Sequence, residues 1–205
     1  MNAGHKAVAK FQEFCVQQAD MESILVTQNI DNLHNREIKK SSVLTLKNDP
    51  HCTLNEMNEA AFMPHVYEIH GNVHYMHCSD ETQDHSRKFL KGPTLADFEA
   101  AAAAAESKTV TDEEGRTQNF CLVPKCVECG AVMKPHCMFF DETYSEHYYR
   151  KETVVNFAEQ SDCLIVVGTA LATNLAKQIV CTFLNKELPV IEINMESAIN
   201  RGNNI

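Results

Sequence analysis

Polar residues follow four short apolar runs of the chain, each at the point where the run ends. His70 follows one of these runs, and its imidazole is suited to act as a general base because its unperturbed pKa, about 6.5, lies near neutral pH. Amide, carboxylate and hydroxyl groups, which can bind a polar ligand, follow the other runs. They are Gln28, Asn29 and Asp31 after Ser23–Thr27, Gly168 and Thr169 after Cys163–Val167, and Asn194 after Pro189–Ile193.

Each of these residues also has a purely structural interpretation. A single histidine at the end of a strand is more often hydrogen-bonded for stability than used as a base. Gly168 can serve a tight turn, and Asn29 or Asp31 can cap a helix. The positions are therefore significant together rather than singly.

The elements that must position these residues form an alternating pattern. The apolar runs, including Val66–Ile69, are rich in β-branched residues and predict strands, and His136–Phe140 is a further predicted strand. Helices are predicted over Ala3–Ala19, Ser145–Glu159 and Asn174–Leu184. Strands that alternate with helices predict an α/β fold with a doubly wound, parallel, Rossmann-like sheet. Because ligands bind outside the carboxyl ends of such strands, we expect the polar residues to converge on one cleft.

The middle of the chain differs in composition from the parts that flank it. Residues 72–133 hold four cysteines, several turn-forming residues and one predicted helix, Leu95–Glu106. We interpret this segment as a small, cysteine-rich, zinc-ribbon-like domain. It is inserted into a Rossmann-like domain formed by residues 1–71 and 134–205. Residues 37–63 are predicted to form a polar loop insertion in the first part.

The overall composition argues against several classes of protein. The formal net charge of -10 disfavours autonomous binding to nucleic acid and suits a basic peptide partner, although an acidic surface is more often simply solvated. No apolar run is long enough to span a membrane and no secretory signal is readable, so no membrane partner is expected. Nine cysteines in such a chain favour a metal site with free thiols over a disulfide framework. We therefore expect an intracellular protein of the cytoplasm or nucleus.

Several groups of residues occur in a fixed order along the chain. They are Thr27-Gln28-Asn29-Ile30-Asp31 with Leu33-His34, Glu68-Ile69-His70-Gly71, Cys126-Val127-Glu128-Cys129-Gly130, Lys134-Pro135 leading to Phe139-Phe140-Asp141-Glu142, Gly168-Thr169 and Ile193-Asn194. In wording and order they resemble the sirtuin, or Sir2-like, family of NAD-dependent protein deacylases. The resemblance covers nearly the whole chain, and Asn2-Ala3-Gly4-His5 is similar to the start of the family's second helix.

The resemblance implies removal of acyl groups from protein lysines with NAD as co-substrate, giving nicotinamide and O-acyl-ADP-ribose. In sirtuins the acyl oxygen attacks the ribose carbon that bears nicotinamide, and a histidine, here His70, then deprotonates a ribose hydroxyl. The implied catalytic residues are His70, Asn29 and Asp31. The implied NAD-binding residues are Gln28, Asn29, Ile30, Asp31, Gly168, Thr169, Asn194 and Glu196. An acyl-lysine protein or peptide would bind in a groove bordered by Phe139, Phe140, Asp141 and Glu142.

The cysteine-rich segment has the spacing of a zinc site. Cys126 and Cys129 form a C-x-x-C pair, which supplies half of a tetrahedral zinc site. The family has a second such pair shortly after its His-Gly motif, so the resemblance implies Cys78 as a third ligand, but Glu81 stands where the second cysteine would lie. The candidates for a fourth ligand are Cys121, His77 and His74. The alternative is a degenerate site that binds no metal.

Three hypotheses for the function remain open. The first is the deacylase, and the second is a sirtuin fold that hydrolyses NAD or transfers ADP-ribose without acyl-lysine. The third is a catalytically silent, truncated isoform that acts as a protein-interaction module. The family's opening strand and Gly-rich NAD loop have no counterpart in these 205 residues, and the chain ends at Ile205, earlier than sirtuins usually do. His70, Asn29 and Asp31 favour an enzyme, whereas the missing loop favours the silent form.

Overall fold

The computed structural model describes residues 2–44, 66–82, 90–91, 109–111, 117–119 and 124–201, with 90–91, 109–111, 117–119 and 201 described by their backbone alone. The chain divides into two compact units. The first unit runs to Thr143 and includes His147–Tyr149. The second unit consists of Tyr144–Glu146 and the residues from Arg150 onward.

The first unit begins with two helices and a pair of parallel strands. These elements are α1 (Ala3–Gln17), β1 (Leu25–Thr27), α2 (Leu33–Ile38) and β2 (Val66–Glu68). The two strands pair in parallel, with Thr27 opposite Glu68, so the residues that follow both strands lie at the same edge. Ile38, Leu44 and Val66 form a buried apolar cluster against this pair.

The other described strands of the first unit pair in antiparallel fashion. These strands are β3 (Gly71–Cys78), β4 (Leu90–Lys91), β5 (Thr109–Thr111), β6 (Thr117–Asn119) and β7 (Met133–Cys137). β3 pairs with both β4 and β7, and β5 pairs with β6. Gly71 begins β3 with a φ of 84°, and a Cβ atom there would lie 2.1 Å from the carbonyl oxygen of His136. Only glycine permits this approach of β3 to β7.

The prediction of a strand over His136–Phe140 is wrong in its bounds and in its partner. β7 ends at Cys137 and pairs with the antiparallel β3 instead of joining a parallel sheet. Beyond it the chain turns, and the backbone N–H of Glu142 donates to the carbonyl oxygen of Phe139 at 3.1 Å. Phe139 and Phe140, whose apolar character suggested a buried strand, are exposed in this turn.

The later part of the chain contains the predicted β-α-β unit. The elements of this part are α3 (Glu146–Tyr149), α4 (Lys151–Gln160), β8 (Leu164–Val167), α5 (Asn174–Asn185), β9 (Val190–Ile193) and α6 (Ala198–Arg201). The β-α-β unit itself consists of β8, α5 and β9. β8 and β9 pair in parallel, with Val167 opposite Ile193. The single helix predicted over Ser145–Glu159 is two helices, because Arg150 between them adopts a left-handed conformation with a φ of 55°.

Each unit thus has its own two-stranded parallel sheet within the part of the chain that the structure describes. In the second unit one face of that sheet packs against α5, through Val166 and Val180. The opposite face is apolar and exposed, and consists of Ile165, Val167, Ile191 and Ile193. No helix among the described residues has the length and apolar character needed to cross a membrane.

The inserted domain predicted over residues 72–133 is described only in part. The helix predicted over Leu95–Glu106 lies outside the described residues, as does the predicted loop 37–63 beyond residue 44. The start of that loop is helical, because α2 extends to Ile38. The domain boundaries at 72 and 133 stay predictions.

Candidate active site

The loop that follows β1 is held by its own side chains. Thr27 Oγ1 accepts a hydrogen bond from the backbone N–H of Asn29 at 3.1 Å, and Asp31 Oδ1 accepts one from the N–H of Leu33 at 3.0 Å. Since Leu33 is the first residue of α2, the second contact agrees with the helix-capping interpretation of Asp31. Asn29 and Asp31 are exposed, so capping leaves both of them accessible to a ligand.

His70 lies beside this loop, two residues beyond the end of β2. Its Nδ1 atom is 3.1 Å from the backbone carbonyl oxygen of Gln28. A carbonyl oxygen can only accept a hydrogen bond, so Nδ1 carries the proton of the neutral ring and Nε2 carries the lone pair. Burial lowers the pKa of His70, and the hydrogen bond to Gln28 partly opposes that shift. A neutral imidazole held in one orientation is what a general base requires.

A buried network of amide and carboxyl groups joins β2, β3 and the start of α2. Asn72 Nδ2 lies 3.0 Å and 2.9 Å from the two carboxyl oxygens of Glu68, and 3.0 Å from Asn32 Oδ1. Asn32, which has a φ of 61°, also accepts from the side-chain amide of Asn35 at 3.0 Å. Burial raises the pKa of Glu68 to about 7, although the hydrogen bonds from Asn72 and Asn35 act in the opposite direction.

The ends of β8 and β9 in the second unit also meet. Gly168 has a φ of 59°, as its interpretation as a turn residue requires, and its N–H donates to the carbonyl oxygen of Ile193 at 3.0 Å. Asn194 Nδ2 donates to the carbonyl oxygen of Thr169 at 2.7 Å. The structure therefore brings Gly168, Thr169 and Asn194 together, and Glu196 lies in the exposed segment that follows.

The residues proposed to contact NAD therefore fall into two groups, one in each unit. The first group lies along the loop after β1, beside His70, and consists of Gln28, Asn29, Ile30 and Asp31. Within it, the carbonyl oxygen of Ile30 accepts from the N–H of Val73 at 3.1 Å, which fixes the loop to β3. The second group lies at the ends of β8 and β9.

The residues predicted to border a peptide groove, Phe139–Glu142, form a turn closed by Glu142. One oxygen of the Glu142 carboxylate accepts from the Phe139 N–H at 3.0 Å and from the Tyr149 hydroxyl at 3.3 Å, and the other accepts from Lys134 Nζ at 2.5 Å. Burial alone would raise the pKa of Glu142, but these donors lower it. Phe139 is 47% exposed and Phe140 is fully exposed, so the turn presents an aromatic surface together with the exposed Asp141.

The three predicted metal ligands come together between β3 and β7. The sulfur atoms of Cys78, Cys126 and Cys129 all lie within 4.8 Å of one another, and those of Cys78 and Cys129 are 3.5 Å apart. The C-x-x-C pair lies on a tight turn, in which the Gly130 N–H donates to the Cys126 carbonyl oxygen at 2.8 Å. Backbone N–H groups, that of Cys129 first, lower the pKa of the Cys126 thiol. Three thiols at this separation fit a thiophilic ion such as zinc. A bound ion would link the C-x-x-C turn to Cys78 at the end of β3.

Of the three candidates for a fourth ligand, the two histidines lie outside the thiol cluster of Cys78, Cys126 and Cys129. His77 points away from Cys78 because neighbouring strand residues alternate in direction, and its ring stacks on Tyr148 with 4.6 Å between ring centroids. Neither His77 nor His74 belongs to the thiol cluster in the described part of the chain. Cys121 lies outside the described residues.

The predictions from sequence missed two sets of contacts in the first unit. One feature of the sequence indicated the network of Glu68, Asn72 and Asn32. Glu68 lies within an apolar predicted strand, and a buried carboxyl group needs hydrogen-bond partners. The ion pairs of Lys134 with Glu142 and Glu81 had no such signal, since Lys134 and Glu81 are 53 residues apart.

Comparison with known proteins establishes the family. A model of the Sir2 family matches residues 51–174 of the chain. The chain belongs to the Sir2 family. The NAD-dependent protein deacylase SIR4 of Monosiga brevicollis is 28% identical over an alignment that covers 94% of this chain and 55% of that protein. The mitochondrial NAD-dependent protein lipoamidase sirtuin-4 of Bos taurus is 27% identical over 177 residues, covering 83% of this chain and 47% of that protein.

Solved Sir2 structures share the fold of the chain. A Sir2 bound to an acetylated peptide matches with a TM-score of 0.59 at 18% identity, covering 96% of this chain and 59% of that one. A Sir2 complex with p53 peptide and NAD+ matches with the same TM-score and identity. These matches confirm the Rossmann-like α/β fold. The chain spans about half the length of the curated relatives it matches.

Proposed function

We propose that this Sir2-family chain is part of an NAD-dependent protein-lysine deacylase. The reaction removes acetyl-type groups from lysine side chains and yields nicotinamide and O-acyl-ADP-ribose. The observation that carries the proposal is the hydrogen bond between His70 Nδ1 and the Gln28 carbonyl oxygen, which orients a neutral imidazole beside the Asn29–Asp31 loop. The relatives named NAD-dependent deacylases and deacetylases support the same reaction.

His70 is the catalytic base in this proposal. NAD supplies the ribose carbon that exchanges nicotinamide for the acyl oxygen. His70 Nε2, unprotonated in the neutral ring, takes the proton from a ribose hydroxyl, and the Gln28 carbonyl stabilises the imidazolium that forms. Asn29 and Asp31, both exposed beside it, donate to and accept from the polar groups of ribose and nicotinamide.

The second group of residues is proposed to bind the phosphate and adenosine portions of NAD. Gly168 supports this assignment because no atom lies within 4 Å of the position that a Cβ would occupy there. A phosphate can therefore approach the backbone closely. Thr169 supplies a hydroxyl beside it, and Asn194 and Glu196 supply polar groups for the adenosine.

The substrate is proposed to be an acyl-lysine protein or peptide that binds along the Phe139–Glu142 turn. The exposed aromatic side chains of this turn offer apolar contact area, and the net charge of -10 favours a lysine-containing segment. An intracellular site of action, in the cytoplasm or nucleus, is proposed because the seven described cysteines are all free thiols. The same net charge argues against nucleic acid as a direct partner.

Nicotinamide release tests the proposal and separates the alternatives. The chain is incubated with NAD and an acetyl-lysine peptide, with NAD and the same peptide unmodified, and with NAD alone. A deacylase releases nicotinamide only in the first mixture. Equal release in all three would replace the proposal with NAD hydrolysis, and release in none would mean that this polypeptide is catalytically silent.

A further inference from the structure

The thiol cluster of Cys78, Cys126 and Cys129 offers three protein ligands, whereas structural zinc sites have four. Zinc in such sites is almost always tetrahedral, and a fourth position without a protein ligand is the feature of an open site. Among the residues that the structure describes, no histidine, aspartate or glutamate joins Cys78, Cys126 and Cys129. Cys129 is exposed whereas Cys78 and Cys126 are buried, so solvent reaches the cluster at the Cys129 thiol.

Glu81 has the spacing of a fourth ligand but is engaged elsewhere. Cys126 and Cys129 show that residues three apart can direct their side chains to one ion, and Glu81 lies three residues after Cys78. Its carboxylate instead forms an ion pair with Lys134 Nζ at 2.6 Å.

The environment of Lys134 favours its ion pair with Glu81. Its side chain is only 18% exposed, and it also pairs with Glu142 at 2.5 Å. Burial alone would lower the pKa of Lys134, but its two carboxylate partners raise it. Withdrawing Glu81 would leave a largely buried ammonium group with a single counter-charge, which is unfavourable.

We propose that the metal site is held by three protein thiolates and has an open fourth position, because Lys134 holds the Glu81 carboxylate away from the ion. Water occupies that position, and an added thiol can replace it. The ion pair, rather than a fourth metal bond, then connects the segment after β3 to β7 and to the turn at Glu142. Such a site exchanges its metal more readily than a closed tetrahedral site does.

Cobalt(II) is the probe that counts the thiolates. Each cobalt–thiolate bond contributes to the charge-transfer absorbance, so Glu81→Cys, which adds a fourth thiol at C-x-x-C spacing, should raise the absorbance per bound cobalt by about one third. A small added thiol should raise the absorbance of the wild-type chain by a similar amount and leave that of Glu81→Cys unchanged. Zinc should pass to a chelator more slowly from Glu81→Cys than from wild type.

Matched variants make the result decisive. Glu81→Gln removes the charge without adding a thiol and should leave the thiolate absorbance at the wild-type level, whereas Cys129→Ser should lower it by about one third. Cys121→Ser should have no effect. The proposal is overturned if Cys121→Ser lowers the wild-type absorbance by about one quarter, since Cys121 is then one of four thiolate ligands. The proposal is also overturned if added thiol leaves the absorbance of the wild-type chain unchanged, or if that chain shows no cobalt–thiolate absorbance. None of these measurements depends on deacylase activity.

Discussion

His70 owes its suitability as a base to two local effects of opposite sign. Burial lowers its pKa and so keeps the ring neutral at physiological pH, while the Gln28 carbonyl holds the Nδ1 proton and opposes that shift. The ring is therefore ready to accept a proton at Nε2 without first losing one. Without the carbonyl contact the ring proton would be shared between the two tautomers, and only the one with an unprotonated Nε2 would serve.

Glu68, two residues from His70, titrates near neutral pH. Its pKa is raised to about 7 by burial, whereas in the unfolded chain it has its ordinary value of 4.5. The folded state therefore binds the proton more tightly than the unfolded state does. The resulting stability is fully present below about pH 4.5 and is lost as the pH rises through about 7.

Glu68→Gln should remove this pH dependence. The amide imitates the protonated carboxyl group, so the variant should match wild type near pH 4 and exceed it near pH 8 by up to about 3 kcal/mol in free energy of unfolding. Urea unfolding at the two pH values measures the difference. Glu142→Gln is the control with the opposite sign, because the lowered pKa of Glu142 stabilises the fold most at high pH. If the free energies of unfolding of wild type and Glu68→Gln differ by the same amount at both pH values, Glu68 does not titrate in this range.

At the scale of elements, the antiparallel pairing of β3 with β7 positions both the thiol cluster and the turn at Glu142. β3 ends at Cys78, and β7 carries Lys134. The pairing depends on Gly71, where the backbone of β7 leaves no room for a side chain and φ is positive. This contact also sets where the chain leaves β2 and His70.

Gly71→Ala should destabilise the chain by more than a positive φ alone can explain. Gly130→Ala is the matched control, because Gly130 has a φ of 76° but no atom within 4 Å of a Cβ position. The control should lose about 1 kcal/mol of unfolding free energy, and Gly71→Ala about 3 kcal/mol or more. Thermal or urea unfolding of the metal-free proteins compares them. Equal losses would mean that β7 can move aside.

At the scale of the whole molecule, position along the chain predicted much of the candidate site. The rule that ligands bind beyond the carboxyl ends of parallel strands selected His70, Gly168 and Asn194, because each follows an apolar run that forms a parallel strand. The contacts that join these residues to neighbours all lie at strand ends: His70 with Gln28, Gly168 with Ile193, and Asn194 with Thr169. Local pattern was sufficient there because strand pairing brings such ends together.

Other features depend on contacts that no local pattern encodes. Asn32 and Asn72, which are 40 residues apart, meet only because β2, β3 and α2 fold together. The run ending in Phe139 and Phe140 has the composition of a buried strand, but the Glu142 carboxylate closes it into a turn. Arg150 interrupts a helix whose periodicity is otherwise continuous, and its left-handed conformation is unusual for a side chain of that kind.

Product formation by a His70 variant tests the central claim most directly. O-acyl-ADP-ribose is measured after incubation of the wild-type chain, His70→Ala and His74→Ala with NAD and an acetyl-lysine peptide. His74 is an exposed histidine on β3, outside the thiol cluster, and controls for loss of an imidazole as such. Loss of a general base should reduce product formation by at least about 100-fold in His70→Ala, with His74→Ala close to wild type. Equal product from wild type and His70→Ala would contradict the assignment of His70 as the catalytic base.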